Sequence, residues 1–194
     1  MQTSGLAEFA DRAAHGAPES GKEECCRCTA SCPCRKPAPV LLLALGNPLM
    51  ADDGAGQELL ARLASQSTEW GTNVEFVDGG TQGLALLGQF EDRKAVVFLD
   101  AIRLGDKPGS VHVLYGDELL RMGQRRATTA HEGSAPEILR ALELLGDRPA
   151  EVALVGIEPE RIETSIGLSE AVTASLPLAA GLARMRVNRI LSAL

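Results

Sequence analysis

Val40-Leu41-Leu42-Leu43-Ala44-Leu45-Gly46-Asn47-Pro48-Leu49-Met50-Ala51-Asp52-Asp53-Gly54-Ala55-Gly56 is the stretch on which the fold turns. Six apolar residues in a row, bounded by turn formers, read as a strand buried on both faces. Gly46-Asn47-Pro48 ends it, because each of these residues favours a turn. Two acids then open an amphipathic run, and Leu59, Leu60 and Leu63 give Gly56–Ala64 one apolar helical face. A buried strand that feeds a helix is the unit of a parallel sheet, and ligands of such sheets bind beyond the carboxyl ends of the strands. Asp52 and Asp53 belong to that rim. Acids in a first helical turn are also favoured as caps and by the helix dipole. Asp52 reads as such a cap, which leaves Asp53 to face what lies above the sheet.

Working outward, Val74–Val77 reads as a second strand, followed by a loop and a short helix around Leu84–Phe90. Lys94–Leu99 is a third, ending at Asp100, and a turn of Gly105, Asp106, Pro108 and Gly109 leads to a fourth at Ser110–Tyr115. Ser134–Leu145 has Ile138, Leu139, Leu142 and Leu145 spaced for one helical face, and Glu151–Ile157 gives a fifth strand. Ser169 is a natural N-cap for a closing helix to about Leu194, with Pro177 either kinking it or marking a later start. The alternation predicts an α/β fold: a single domain with a mostly parallel five-stranded sheet and helices on both faces, a three-layer α/β/α arrangement.

Residues 1–39 differ in composition. They are rich in Gly, Ala, Ser, Pro and Cys and lack a long apolar period, so the expectation is a disordered Cys/Pro-rich extension before an α/β domain over 40–194. All five cysteines lie there: Cys25, Cys26, Cys28, Cys32 and Cys34. Cys25 and Cys28 form a Cys-x-x-Cys pair, and a metal on Cys25, Cys28, Cys32 and Cys34 is one reading; an oxidation-prone tail is the other. The net charge of −7 without a basic stripe argues against a nucleic-acid partner. No apolar run is long enough to span a membrane and the first residues are polar, so membrane insertion is not expected and a cytoplasmic location is.

Three acidic positions fall where strands should end: Asp52/Asp53, Asp78 and Asp100. Any one is ordinary turn chemistry, but three converging on one rim point to a site, since such carboxylates are costly unless solvated, paired or bound to a cation. Asp78 opens Asp78-Gly79-Gly80-Thr81-Gln82-Gly83, whose glycines allow close backbone approach to a phosphate or a peptide; the loop lacks the spacing and Lys of a phosphate-binding P-loop. Of the histidines, His15 lies in the extension and His112 sits within a strand. His131 falls in the polar loop Thr128–Ser134, where it reads as a metal ligand, an acid/base group or a solvated side chain.

Four motifs together resemble the nickel–iron hydrogenase maturation endopeptidases over Val40 to about Ser192. They are Gly46-Asn47-Pro48-Leu49 with Asp52-Asp53-Gly54-Ala55-Gly56; Asp78-Gly79-Gly80-Thr81-Gln82-Gly83; Leu99-Asp100-Ala101 followed by Pro108-Gly109; and Gly156-Ile157-Glu158-Pro159-Glu160 with Ile166-Gly167-Leu168-Ser169. The resemblance implies an endopeptidase that removes the C-terminal extension of a hydrogenase large-subunit precursor once nickel is inserted. It implies nickel contacted in the substrate rather than permanently bound, by Asp53, Asp100 and His131, with Asp53 and Asp100 also carrying catalysis and Asp78, Gly79, Gly80 and Thr81 meeting the substrate. Asp53 stands where many relatives have Glu. The cysteine-rich extension departs from the family, which usually begins near its first strand.

Two other readings compete. Peptidyl-tRNA hydrolases also place Gly-Asn-Pro after the first strand, but they need a His soon afterwards, and Leu49–Gln57 contains none. A nickel-binding chaperone or scaffold without protease activity would use the same carboxylate and His rim. Tight metal binding by the isolated protein separates that carrier from a protease that reads substrate nickel.

Overall fold

The computed structural model describes residues 36–66, 68–125 and 134–194, and the fold described is that of the unit Pro37–Leu194. Five strands form one sheet: β1 (Val40–Leu45), β2 (Val74–Gly80), β3 (Ala95–Ala101), β4 (Val111–Tyr115) and β5 (Glu151–Ile157), in the order β2-β1-β3-β5-β4. β1 pairs in parallel with β2 and β3, and β3 with β5; β4 alone is antiparallel, on the outer edge of β5. The helices are α1 (Ala55–Gln66), α2 (Gly116–Arg125), α3 (Ala135–Leu145) and α4 (Glu170–Leu191). Short 3₁₀ turns cover Ala51–Gly54, Thr68–Asn73 and Gly83–Phe90.

The apolar run Val40–Leu45 lies in the sheet interior because all six of its residues are buried. Val40, Leu42 and Ala44 face a core shared with Leu59 and Leu63 of α1 and with Leu176, Ala183 and Val187 of α4. Leu41, Leu43 and Leu45 face the opposite core, with Phe90, Phe98 and Ile138, Leu139 and Leu142 of α3. Each fully buried Leu of this run contributes about 2 kcal/mol of apolar transfer, which favours the strand being covered on both sides. The predicted three-layer α/β/α architecture is what the chain adopts.

Several boundaries differ from the sequence expectation. β2 runs on through Asp78, Gly79 and Gly80, with a register shift at Ala44/Leu45, and β3 runs through Asp100 to Ala101. Pairing with neighbours extends both strands past the apolar runs that announced them. α2 was not expected. α4 does not start late: Ser169 caps it, its hydroxyl accepting from Val172 N–H at 3.3 Å, and the helix continues through Pro177. The cysteine extension and its metal reading lie outside the described residues.

Candidate functional site

The strand order places a reversal between β1 and β3. The chain leaves β1 through α1 on one face to reach β2, then crosses the other face to reach β3 on the far side of β1. In open α/β sheets this reversal opens a crevice at the carboxyl ends of the two strands. Asp53 enters it from the 3₁₀ turn after β1, and Asp100 from the end of β3.

Two glycines make this possible. Gly46 has φ +116°, and a Cβ there would strike the carbonyl oxygen of Asp53. Gly56 lies in the first turn of α1, where a Cβ would collide with the carbonyl oxygens of Leu45 and Leu99. The helix start thus rests directly on the ends of β1 and β3. Asp53 is then fixed by its own loop, its Oδ2 accepting the Asn47 N–H at 2.8 Å.

The neighbouring carboxylate does something else. Asp52 is fully buried and does not cap its own helix; Met50 holds that N-cap position, without a side-chain bond. Instead Asp52 Oδ2 accepts the N–H groups of Glu160 and Arg161 at 2.9 and 3.0 Å, and Oδ1 that of Ser169 at 2.6 Å. It ties the loop after β5, and the start of α4, to the turn after β1. The structural reading of Asp52 stands, but the backbone that it satisfies is more than one hundred residues away. Burial works against its charge, yet the backbone N–H groups of Ser169, Arg161 and Glu160 outweigh it and hold the pKa below the usual value.

Asp100 has no such compensation. Burial first, and then the charge of Asp53, push its pKa up from 3.8 to about 7; one bond from the Ala101 backbone works the other way. Asp53, from the turn after β1, and Asp100, from the end of β3, thus converge on one crevice, near enough for the charge of Asp53 to act on Asp100. Two acids forced together with few donors form a place that a cation, or a shared proton, stabilises.

Asp78 borders the crevice through Gln57. Its Oδ1 accepts the Gly80 N–H at 3.0 Å and the Gln57 Nε2 at 3.2 Å, and the same Nε2 donates to the Gly46 carbonyl at 2.9 Å. Gln57 thus joins the turn after β1 to the loop after β2, where Gly80 and Gly83 take positive φ and Thr81 is exposed. The sequence reading did not select Gln57, since a polar residue in a first helical turn gives no signal. It also left Glu158 without a role. That side chain, 5% exposed, accepts the N–H groups of Leu104 and Gly105 at 2.7 and 3.2 Å and so anchors the loop after β3.

His131 lies outside the described residues. His112 does not join the crevice carboxylates; it sits on β4, its Nε2 3.4 Å from Asp106. Among the described residues no group of three or more His, Cys, Asp or Glu is arranged to hold a metal ion, and no helix is long and apolar enough to cross a membrane.

The family model for hydrogenase maturation proteases matches residues 57–184, more than half of the chain. The chain belongs to the hydrogenase maturation protease family. Hydrogenase 2 maturation protease of Escherichia coli is 32% identical over 138 residues, covering 71% of this chain and 83% of that protein. The solved structure of the hydrogenase maturating endopeptidase HybD of E. coli aligns with a TM-score of 0.68 at 28% identity, covering 77% of this chain and 92% of that one. The [NiFe] hydrogenase maturation protease HybD of Thermococcus kodakarensis aligns with a TM-score of 0.58 at 31% identity, covering 75% and 97%. Other curated relatives, described as hydrogenase expression/formation proteins, are longer, and the chain spans 62% and 63% of two of them. The family bears out the recognition and the fold drawn from the four motifs.

Proposed function

We propose that this chain is an endopeptidase that removes the C-terminal extension of a nickel–iron hydrogenase large-subunit precursor after nickel insertion, with the substrate's nickel as the recognition element. The observation that supports this reading is the convergence of Asp53, from the turn after β1, and Asp100, from the end of β3, on the crevice between those strands. Two hard carboxylates form an open, partial donor set, to which the family resemblance adds His131 as a third ligand. Such a set binds weakly by itself and well to a metal already held by substrate ligands. The pKa of Asp100 adds a gate: below about pH 7 a proton occupies the place that a docked cation takes above it.

Docking at Asp53 and Asp100 fixes the scissile peptide at the carboxyl rim and turns an encounter between water and amide into a positioned reaction. Asp78, Gly79, Gly80 and Thr81 form the adjoining wall, along which the substrate backbone lies. A carboxylate beside the bond takes the proton of the attacking water, a role for which a pKa near neutrality is suited. A cytoplasmic location belongs to the same proposal, and metal on Cys25, Cys28, Cys32 and Cys34 is its further reading of the extension, an oxidation-prone tail being the alternative.

The test is intact-mass spectrometry of the precursor, nickel-loaded and nickel-free, after incubation with the protein. Loss of a single C-terminal peptide only from the nickel-loaded form is the expected result. Equal cleavage of both forms removes the recognition role of nickel. No cleavage, together with tight nickel binding by the protein alone, replaces the protease with a carrier.

A further inference from the structure

The carboxyl rim carries a feature that the carboxylates do not explain. Leu49, in the loop after β1, is 59% exposed, and Ile166, in the loop before α4, is 84% exposed. Single exposed apolar residues are ordinary. These two are set apart by the backbone pairing that brings their loops together. A parallel bridge joins Met50 to Ser165; Ala51 N–H donates to the Ser165 carbonyl at 2.8 Å, and Ser165 N–H to the Leu49 carbonyl at 3.1 Å. The Leu49 N–H donates to Asn47 Oδ1 at 3.0 Å, and Asp52 grips the same loop at Glu160, Arg161 and Ser169. Side chains presented on a fixed backbone lose little freedom when a partner arrives.

The same network runs into the crevice. Asn47 accepts from Leu49 N–H and donates its own N–H to Asp53. The apolar ledge and the crevice carboxylate are thus parts of one hydrogen-bonded piece. The surrounding charge is acidic: Glu160 and Glu163 lie exposed in the same loop with Arg161, which pairs with Glu163 at 3.3 Å, and Asp53 and Asp78 lie toward the crevice.

We propose that Leu49 and Ile166 form a subsite for an apolar side chain of the polypeptide that is processed in the crevice, carried by a segment free of acidic residues. The inference rests on the processing function proposed above. Continuity with Asp53 sets the occupant, because the hydrogen-bonded piece that carries the ledge also carries the crevice carboxylate. The acidic surroundings set its flanks, because they repel carboxylates.

The test is steady-state processing of nickel-loaded precursor by the wild type, by Leu49→Ser/Ile166→Ser, and by Leu178→Ser/Met185→Ser. The last pair removes two exposed apolar groups from α4. The ledge variant is expected to raise KM about 30-fold with kcat within about twofold of wild type, the signature of lost substrate binding. The α4 variant is expected to leave KM unchanged. An unchanged KM in the ledge variant overturns the subsite while the processing function stands, and so does an equal rise in the α4 variant. A wild type that cleaves no precursor overturns the processing function and the subsite with it. Sedimentation of the protein alone gives the remaining arm: dimers that the ledge substitutions dissolve make the ledge a self-interface and overturn the subsite.

Discussion

Asp52 and Asp100 are both carboxylates at the carboxyl rim, the first fully buried and the second half-buried, and they are driven in opposite directions. Asp52 receives three backbone N–H groups and stays ionised below its usual pKa. Asp100 receives little and faces the charge of Asp53, so its pKa rises to about 7. Burial is the largest influence on each; the donors decide the outcome. Where the fold supplies donors, the charge is spent on holding the loop over 160–169. Where it withholds them, the charge stays available for something not yet bound. On this difference rests the division of the rim into a clamp and a site.

The sharpest way to break that division is to neutralise one carboxylate on each side of it. Asp53→Asn should lower processing of nickel-loaded precursor by about 10³-fold, while leaving the unfolding midpoint in urea close to wild type. Asp52→Ala should do the reverse. It strands three N–H donors in a dry place and is expected to cost about 5 kcal/mol of stability, read as a large fall in the urea midpoint. If Asp52→Ala unfolds at the wild-type midpoint, the clamp is not what holds the loop. If Asp53→Asn still processes, the site lies elsewhere.

The next effect has a pH sign. An Asp held at about 7 in the folded state and near 3.8 when unfolded favours folding fully below 3.8. That contribution is lost as the pH rises through about 7. At about 1.4 kcal/mol per unit, and allowing for the water that this half-buried residue retains, the loss amounts to about 3 kcal/mol. Asp100→Asn should remove this decline, so that the variant is more stable than wild type at pH 8 and similar at pH 4. Asp52 carries the opposite sign, its contribution present above 3.8 and lost as the pH falls below it. Urea midpoints across this range, for both variants, test the two signs together. Asp53→Asn adds a cross-check, since removing its charge should draw the Asp100 titration, followed by NMR, back toward the ordinary range.

The sequence made the frame legible because β1 and α1 announce themselves: six apolar residues, a Gly-Asn-Pro turn, then a helical stripe. It placed Asp53, Asp78 and Asp100 on one rim for the same reason, since parallel strands end together. It did not separate Asp52 from Asp53 by what each touches, because the partners of Asp52 are backbone N–H groups more than one hundred residues away, and backbone groups leave no trace in residue type. α2 escaped because its apolar residues are few, and the full length of α4 escaped because local Pro chemistry argues against what packing onto α1 enforces. Gln57 and Glu158 escaped for another reason. Each acts by bridging loops that only the finished fold brings together.

Gln57 gives the smallest and most discriminating effect. Its Nε2 links the Gly46 carbonyl to Asp78, but its Oε1 is buried without a hydrogen-bond partner. Gln57→Met keeps the length of the side chain and removes both the two donated bonds and the orphaned acceptor. Losing the bonds costs stability; losing the orphan returns some of it, because a buried acceptor without a donor is itself unfavourable. The net loss is expected to be about 1 kcal/mol in the urea midpoint. Processing should fall more than that figure implies, since the loop at Asp78–Thr81 loses its tie to the turn that carries Asp53. If instead Gln57→Met loses stability as heavily as Asp52→Ala, then Gln57 belongs with the clamp, and the boundary between the two halves of the rim has to be moved to include it.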